Sequence, residues 1–413
     1  MGADFVFSDT TCFANRRVHL AVSGSVAAYK ACDLLRCLVH AGLHVSAALS
    51  KGATQFVRPL LFQALGAYPV YDPTSPWREE PFAHLEPGQH AELMLIAPAS
   101  ADMLAKLAHG AADDIVAAQA LAFPKSLLVA PAMNPRMWAN PAVIDNTHLL
   151  AKRGIGILSP KSGTLSCGEE GQGKLPSIEE IVYAVFRALA PKDFLGKKVL
   201  VTLGPTREFW DGVRFWSNPS SGRMGLSVAL AFWLRGATVT LLAGPIHEPL
   251  LPKDMTVHSV VSAKEMHAKA QELWPSMDIA VCTAAVSDFA PDTPLQAGKQ
   301  KKTGYPEHFS LPFHKNPDIL AHCVRTKTAG QRVVAFAAET CTDMEALRIL
   351  AHDKLRAKGA DLLAANRVNS TESGFGTVSN TMVFVDQDGR EEGIGPASKS
   401  DIAWRLCSWL SSR

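Results

Sequence analysis

Apolar runs of four or five residues recur along the chain, each closed by a small or polar turn and followed by helical spacing. Val18-His19-Leu20-Ala21-Val22 is the first. Ser23-Gly24-Ser25 follows it, and apolar residues over 26–40 recur every three or four positions, which predicts a helix that stops at Gly42. Val45-Ser46-Ala47-Ala48-Leu49 is the next expected strand, and the runs at 93–97 and 127–130 add two more. Unbroken apolar strands separated by helices predict a parallel sheet covered on both faces, with right-handed crossovers. After Ala190-Pro191-Lys192-Asp193-Phe194-Leu195-Gly196-Lys197 the pattern restarts. Expected strands there lie at 199–203, 239–242, 279–283, 333–337 and 362–364, with a helix over 223–235 and a hairpin turning at Gln387-Asp388-Gly389. The expected fold is α/β, with two different Rossmann-like domains and mainly parallel sheets. Its expected parts are a loose tail over 1–16, a domain over 17–190, a linker over 191–197 and a domain over 198–413.

Bulk properties narrow the function by exclusion. A chain of 413 residues has room for two or three cores, and 47% hydrophobic with 19% charged residues is ordinary for a globular protein. A formal charge of +2 gives no electrostatic case for nucleic acid or a membrane surface. No apolar run approaches a membrane span. With Asp4 and Asp9 and no basic region before an apolar core, the first residues are not expected to act as a signal peptide, and Val6 stands where myristoylation wants Ser or Thr. Eight cysteines without a Cys-x-x-Cys pair are expected to be reduced and mostly buried, so the expected compartment is the cytoplasm.

The candidate chemistry of the first half lies at strand ends. Gly24-Ser25 at a strand-to-helix turn offers backbone N–H groups and a helix dipole to a phosphate. Ala97-Pro98-Ala99-Ser100 follows another strand, and its small side chains let a planar ring approach. Asn134, in Pro131-Ala132-Met133-Asn134, puts a carboxamide where ligands gather in open α/β sheets. Cys167, in Ser166-Cys167-Gly168, sits among Gly163, Gly168, Gly171 and Gly173, which predicts a hinged flap. His84 lies in a loop before a strand, where an imidazole can take or hold a proton during thiol chemistry, with His90 as a solvated bystander. A full Gly-x-Gly-x-x-Gly and an acid after the second strand are both missing, which disfavours an NAD dehydrogenase.

These segments, together with Ser23-Gly24-Ser25-Val26-Ala27-Ala28-Tyr29-Lys30, occur in the order seen in the phosphopantothenoylcysteine decarboxylases, and the first half resembles that branch of the flavin-containing cysteine decarboxylases. Ser25 replaces a usual Gly, and Ser166 a usual Ala. The resemblance implies FMN held by Gly24, Ser25, Val26, Ser50, Ala99, Ser100 and Met133. It also implies oxidation, decarboxylation and re-reduction of a cysteine-like thiol. His84 would assist the oxidation, Asn134 would hold the substrate carboxylate, and Cys167 would donate the last proton.

In the second half, Ser220-Ser221-Gly222 at a helix start offers hydroxyls and N–H groups to a phosphate. Ala284-Ala285-Val286-Ser287-Asp288 ends a strand with a carboxylate fit for a metal–phosphate. Lys299, Lys301 and Lys302 form a basic cluster, and Lys354 and Lys358 stand one helical turn apart with no acidic partner close in sequence, an arrangement that suits a triphosphate. These segments resemble phosphopantothenate–cysteine ligase, and together the halves resemble the fused bacterial bifunctional enzymes of coenzyme A synthesis. The resemblance implies CTP bound by Ala284, Asp288, Lys299, Asn316, Pro317, Asp318, Ile319, Phe336, Lys354 and Lys358. Mg²⁺ would lie at Asp288, and no residue excludes ATP in place of CTP. Asn218 would act on the acyl-cytidylate, Lys299 would stabilise charge at the α-phosphorus, and Arg214 would reach across a dimer interface. Ser287-Asp288-Phe289 keeps the family's carboxylate and loses its tyrosine hydroxyl.

The family's trimeric decarboxylase half and dimeric ligase half imply a homo-oligomer, a dodecamer. The expected partners are then small molecules alone: 4′-phosphopantothenate, cysteine and the nucleotide. A non-catalytic flavin-binding regulator is disfavoured by the presence of both His84 and Cys167, and a peptidyl-cysteine decarboxylase by the attached second domain.

Overall fold

The structure, a computed structural model, describes residues 11–73, 82–164, 168–247, 251–292, 298–301, 303, 306–368 and 379–412. It divides into two compact units, Thr11–Ala190 and Pro191–Arg413. Among the described residues no helix is long and apolar enough to cross a membrane.

The first unit is built on a six-stranded sheet of β1 (Arg17–Val22), β2 (His44–Leu49), β3 (Val70–Tyr71), β4 (Leu93–Ala99), β5 (Ser126–Pro131) and β6 (Gly156–Ile157), in the order β3-β2-β1-β4-β5-β6. Every pairing is parallel. All seven residues of β4 are buried, as a strand covered on both faces requires. Among the described residues eight helices alternate with the strands: α1 (Lys30–His40), α2 (Pro59–Ala64), α3 (Glu86–His90), α4 (Ala101–His109), α5 (Ile115–Ala122), α6 (Pro135–Trp138), α7 (Pro141–Lys152) and α8 (Ile178–Leu189). The expected helix over 26–40 begins as a single 3₁₀ turn over Val26–Tyr29, because Ser25 Oγ accepts the Ala27 N–H and tightens the entry. A capping box between Ser177 and Glu180 starts α8.

Two boundaries differ from expectation. Of the tail over 1–16, residues 1–10 lie outside the described residues, but Phe13 is fully buried and stacks on Phe186 of α8 at 4.3 Å. An apolar ring recovers more by burial than a loose tail allows. The stretch 191–197 is not a free linker: Phe194 is buried against Phe232 at 4.9 Å, and Asp193 is ion-paired with Arg235.

The glycine-rich segment expected as a flap is an antiparallel ribbon, β7 (Lys161–Thr164) with β8 (Glu170–Lys174). It lies directly on the end of β5. A Cβ on Gly173 would fall 2.4 Å from the Met133 carbonyl oxygen, and the Met133 N–H donates to the Gly173 carbonyl at 3.0 Å. Only glycine permits that approach.

The second unit repeats the plan. β9 (Lys198–Leu203), β10 (Arg207–Phe209), β11 (Phe215–Ser217), β12 (Thr238–Ala243), β13 (Thr256–Ser259), β14 (Ile279–Cys282), β15 (Phe289–Pro291), β16 (Phe313–Lys315), β17 (Arg332–Glu339), β18 (Leu362–Arg367), β19 (Ser379–Asp386) and β20 (Glu391–Ser398) are its strands. The main sheet runs β13-β12-β9-β14-β17-β18-β19-β20, parallel up to β18 and antiparallel beyond. β10–β11 and β15–β16 are separate two-stranded ribbons. Its helices are α9 (Arg223–Leu234), α10 (Ala263–Leu273), α11 (Ile319–Thr326), α12 (Met344–Lys358) and α13 (Lys399–Ser411). The start of α9 packs so closely on the sheet that a Cβ on Gly225 would lie 2.4 Å from Thr283 Oγ1 and 2.5 Å from Leu203 Cβ.

Candidate functional site

In each unit the order of strands reverses beside the first strand, and the crevice outside the strand ends at that point is where open α/β sheets hold ligands. In the first unit the reversal lies between β1 and β4. Ser23 stitches the two strand ends together: its N–H and Oγ both donate to the Pro98 carbonyl (3.1 and 2.9 Å), and its Oγ accepts the Ser100 N–H at 2.7 Å. A cavity of about 690 Å³ opens there. It is lined by Gly24, Ser25, Val26, Ser100, Met133 and Asn134, with Phe56, Met137 and Leu175 adding apolar wall. Five of the seven residues expected at FMN therefore share one wall. Ser50 and Ala99 are buried outside it, Ser50 Oγ accepting the Ala53 N–H at 3.1 Å. The size suits a planar cofactor, since small-molecule sites run to several hundred cubic ångströms with mainly apolar walls.

Asn134 caps α6, its Oδ1 accepting the Arg136 N–H at 2.8 Å. That bond fixes the amide, so Nδ2 is the donor, and it holds Glu169 Oε2 at 2.9 Å. Arg136 grips the other oxygen of Glu169 at 2.7 Å. The expected carboxylate-binding amide thus already binds a carboxylate, one supplied by the ribbon. Cys167 lies outside the described residues.

His84 is half-buried in the turn before α3 and does not line this cavity within one chain. Its turn is held from below by a buried polar chain. Gln119 Nε2 donates to the Ala83 carbonyl at 3.0 Å, and Gln119 Oε1 lies 2.9 Å from His19 Nε2. Since an amide oxygen only accepts, His19 carries its proton on Nε2, and Ser46 Oγ donates to Nδ1 at 2.8 Å. Complete burial lowers His19 to a pKa of about 4, which keeps the imidazole neutral as this chain requires.

The second unit has its reversal between β9 and β14, and a cavity of about 140 Å³ lies at those strand ends. Ser220, Ser221, Gly222, Arg223 and Gly225 lie along one wall, and Ala284, Phe336, Asn366, Asn380 and Lys399 are among the other lining residues. Ala284 and Phe336, both expected at the nucleotide, meet here. Gly222, at φ 72°, is the N-cap of α9 in place of either serine, because the chain turns through the left-handed region there.

Asn218 stands beside this cavity, its Nδ2 donating to the Ala285 and Val286 carbonyls at 3.4 and 3.2 Å. The β15–β16 ribbon joins Asp288 to Asn316: the Asn316 N–H donates to the Asp288 carbonyl at 2.9 Å, and its amide to the Ser287 carbonyl at 2.8 Å. Pro317 leads from Asn316 into Asp318, the N-cap of α11, and Ile319 buries the first turn of that helix. Lys354 and Lys358, read as having no acidic partner close in sequence, each find one from a distant part of the chain. Lys354 is ion-paired with Glu339, and Lys358 holds Asp318 at 2.9 Å. Both acids come from other elements of the fold.

Lys299 is exposed and does not line the cavity. Lys302 lies outside the described residues. The loop carrying Lys299 is tied to Asp211, which is fully buried and accepts the N–H groups of Val213 (2.7 Å), Arg214 (2.6 Å) and Gln300 (3.2 Å). Burial pushes the Asp211 carboxyl up, but those N–H groups and the Arg214 guanidinium outweigh it and hold the group below its ordinary range. Arg214 stacks on Trp210 at 5.1 Å and donates to the Gln300 carbonyl.

Five side chains not expected from the sequence stand at these sites: Arg223, Asn380 and Lys399 line the second cavity, and Arg136 and Glu169 pair beside Asn134 without lining the first. A cluster of carboxamides and basic residues at strand ends is the signal that would have found Asn380. Lys399 carries none, being the first residue of a helix 176 positions beyond Arg223.

Comparison with known proteins matches two families in tandem. The Flavoprotein family matches residues 7–190, and the DNA/pantothenate metabolism flavoprotein C-terminal domain matches residues 194–413. The coenzyme A biosynthesis bifunctional protein CoaBC of Bacillus subtilis is 37% identical over 405 residues, covering 96% of this chain and 97% of that one. Its namesake in Mycolicibacterium smegmatis is 38% identical over 409 residues, covering 97% and 98%. That of Vibrio vulnificus is 36% identical over 400 residues, again 97% and 98%.

Proposed function

The chain belongs to the family of bifunctional coenzyme A biosynthesis proteins, enzymes with a decarboxylase and a ligase half, and on that footing we propose its two reactions. The second unit joins 4′-phosphopantothenate to cysteine through an acyl-nucleotidyl intermediate. The first unit removes the carboxyl group of the resulting 4′-phosphopantothenoylcysteine to give 4′-phosphopantetheine. The observation that carries this reading is one chain with a cavity at the switch point of each of two sheets, matched to such relatives from end to end.

The first unit is of flavoprotein type, and we assign FMN to its cavity. The Gly24–Ser25 turn would take the phosphate, and Val26, Met133 and Ser100 would flank the ring. When bound, the flavin supplies the two-electron chemistry at the substrate thiol, and the protein supplies placement. Asn134 Nδ2 orients the substrate carboxylate in the position Glu169 now fills. His84 takes or holds the thiol proton, and Cys167 returns a proton as the thiol is restored. Within one chain His84 is not at the cavity, so it would serve the cavity of a neighbouring subunit in a homo-oligomer, a dodecamer.

In the second unit Ala284, Phe336 and the 220–225 turn take CTP, with Asn316, Pro317, Asp318, Ile319, Lys354 and Lys358 around the base and sugar. Lys299 and Asn218 stabilise charge on the acyl phosphate, and Arg214 completes a neighbour's site. Among the described residues no three of His, Cys, Asp and Glu gather around a metal position, so Mg²⁺ would arrive on the triphosphate and meet Asp288 there. The seven described cysteines are free thiols, which supports a cytoplasmic setting.

The test is to purify the chain, measure flavin absorbance and mass in solution, then supply 4′-phosphopantothenate, cysteine and one nucleoside triphosphate at a time while following CO₂. CO₂ release with CTP is expected. No CO₂ with any nucleotide refutes the combined reading. CO₂ from supplied 4′-phosphopantothenoylcysteine alone would retain the decarboxylase and refute the ligase.

A finer prediction concerns Glu169. Substrate carboxylate and Glu169 compete for Asn134 and Arg136, so Glu169→Gln, which keeps a hydrogen bond and removes the charge, should lower KM for 4′-phosphopantothenoylcysteine by about fivefold, the value of roughly 1 kcal/mol. Steady-state CO₂ release from the supplied substrate measures it, and an unchanged KM would separate Glu169 from the substrate site.

A further inference from the structure

The buried polar chain beneath the His84 turn has no part in the reaction as drawn. The turn closes on the Phe82 carbonyl, which accepts the N–H groups of Leu85 at 2.8 Å and Glu86 at 3.2 Å. Two arms grip it, one on each side of His84. Before His84, the Gln119 amide of α5 donates to the Ala83 carbonyl at 3.0 Å. After it, the Tyr71 hydroxyl of β3 donates to Glu86, the first residue of α3. Both arms rest on His19 of β1. Its Nε2–H donates to Gln119 Oε1 at 2.9 Å, and the Tyr71 ring meets its ring edge-on at 6.1 Å. Ser46 of β2 holds the other ring nitrogen. His19, Gln119 and Ala83 are each no more than 1% exposed.

His19 interrupts an otherwise apolar strand, Val18 to Val22, where an aliphatic residue would pack with no need of hydrogen-bond partners. A buried polar network is costly when incomplete, and when complete it fixes one geometry. What this network adds to an apolar core is a fixed position for one turn. Resting on the reading of His84 as the group that takes or holds the thiol proton, we infer that Gln119, with His19 behind it, is a positioning residue for decarboxylation. Neither side chain lines the first cavity. Gln119 sets the place of the Ala83–His84 backbone, and so of the imidazole, while Tyr71 and Glu86 fix the other end of the turn. A proton-transfer group must come within hydrogen-bond reach of its target, and a displacement of about 1 Å costs about a hundredfold in rate.

In the full-length chain, Gln119→Met keeps the bulk of the side chain and removes both of its hydrogen bonds. For decarboxylation of supplied 4′-phosphopantothenoylcysteine, kcat should fall by about 10- to 100-fold while KM holds, because a misplaced imidazole affects the chemical step and not substrate binding. His19→Leu leaves the amide on Ala83 and removes its support, so the same change should appear at smaller size. Flavin absorbance of the purified variants, and ligation, should match wild type. Val116→Ala, fully buried on the same helix, loosens α5 without touching the network and should keep its kcat.

The deciding measurement is a double-mutant cycle. His84→Ala alone should remove most of kcat. Gln119→Met added to it should bring no further fall, since a residue that acts through the imidazole has nothing left to position. A merely structural role would lower kcat again in that background by the same factor. If Gln119→Met yields no flavin-bearing chain, His19→Leu takes its place in the cycle. Wild-type kcat in Gln119→Met, an equal fall in Val116→Ala, or additive losses in the cycle each overturn the inference. Wild-type kcat in His84→Ala would instead sink the reading of His84 on which it rests.

Discussion

Asn134→Asp is expected to abolish decarboxylation of supplied 4′-phosphopantothenoylcysteine and to leave ligation intact. The Nδ2 of Asn134 is an oriented donor, fixed because its own Oδ1 is held by the Arg136 N–H. The aspartate is nearly the same size but has no N–H to offer. It also places a negative charge against the Glu169 carboxylate, now at 2.9 Å, and at the place proposed for the substrate carboxylate. Loss of one preorganised donor alone costs about 100- to 1,000-fold in turnover. Repulsion between two carboxylates at hydrogen-bond distance adds to that, so a fall of at least about a thousandfold is expected. Asn134→Ala removes the donor without the charge and should fall less. CO₂ release against substrate concentration measures both. If the aspartate variant turns over within tenfold of wild type, Asn134 does not hold the substrate carboxylate. Equal defects in the two variants would mean that charge plays no part.

Asn134 was legible because it follows a strand whose apolar run is continuous, and a strand buried on both faces must be spelled by adjacent apolar residues. The same reasoning located β1, β2, β4, β9, β12 and β14 within a residue or two. What pattern could not reach are contacts set by the fold. Glu169, just before β8, and Arg136 of α6 pair beside a ribbon whose glycines suggested a hinged flap, and Gly173 lets that ribbon press on Met133. His19 and Gln119 meet from a hundred residues apart, and each alone looks like a polar slip in an apolar run. Lys354 and Lys358 pair with acids that sequence neighbourhood does not reach, at the end of β17 and the N-cap of α11. Short edge strands such as β3 and β6, two residues each, carry no periodic signal at all.

Arg235→Ala is expected to be the most damaging single change to the stability of the second unit. Arg235 is 3% exposed at the end of α9, and its Nε donates to Asp193 Oδ1 at 2.9 Å while Nη2 pairs with the other carboxylate oxygen. Nη1 donates to the Trp404 carbonyl and Ser408 Oγ, at 3.1 and 2.9 Å, and the guanidinium stacks between Phe194 and Trp404. Removing the guanidinium strands Asp193, which keeps part of its side chain in water, and breaks the bonds to Trp404 and Ser408, a cost of about 2–3 kcal/mol. Urea unfolding followed by tryptophan fluorescence should report a loss of that size. Asp193→Ala combined with Arg235→Ala should lose less than the sum of the singles, since no stranded charge remains. The loss should also depend on pH. In the wild type, burial pushes the Asp193 carboxyl up, but the hydrogen bond and charge of Arg235 outweigh it and hold the group below its ordinary range. A lowered carboxylate contributes stability above its unfolded pKa of about 3.9 and loses it as pH falls through the folded value. The gap between wild type and Arg235→Ala should therefore be full at pH 7 and shrink below about pH 4, as the stranded Asp193 is protonated in the variant and the pair is lost in the wild type. A gap that stays constant from pH 7 to pH 3 would assign the damage to lost stacking on Phe194 and Trp404. The same change should loosen α13, which carries Lys399 into the wall of the second unit's cavity, the one proposed for ligation. Ligation in the variant should then fail at lower urea than decarboxylation does, because nothing in the first cavity depends on that guanidinium.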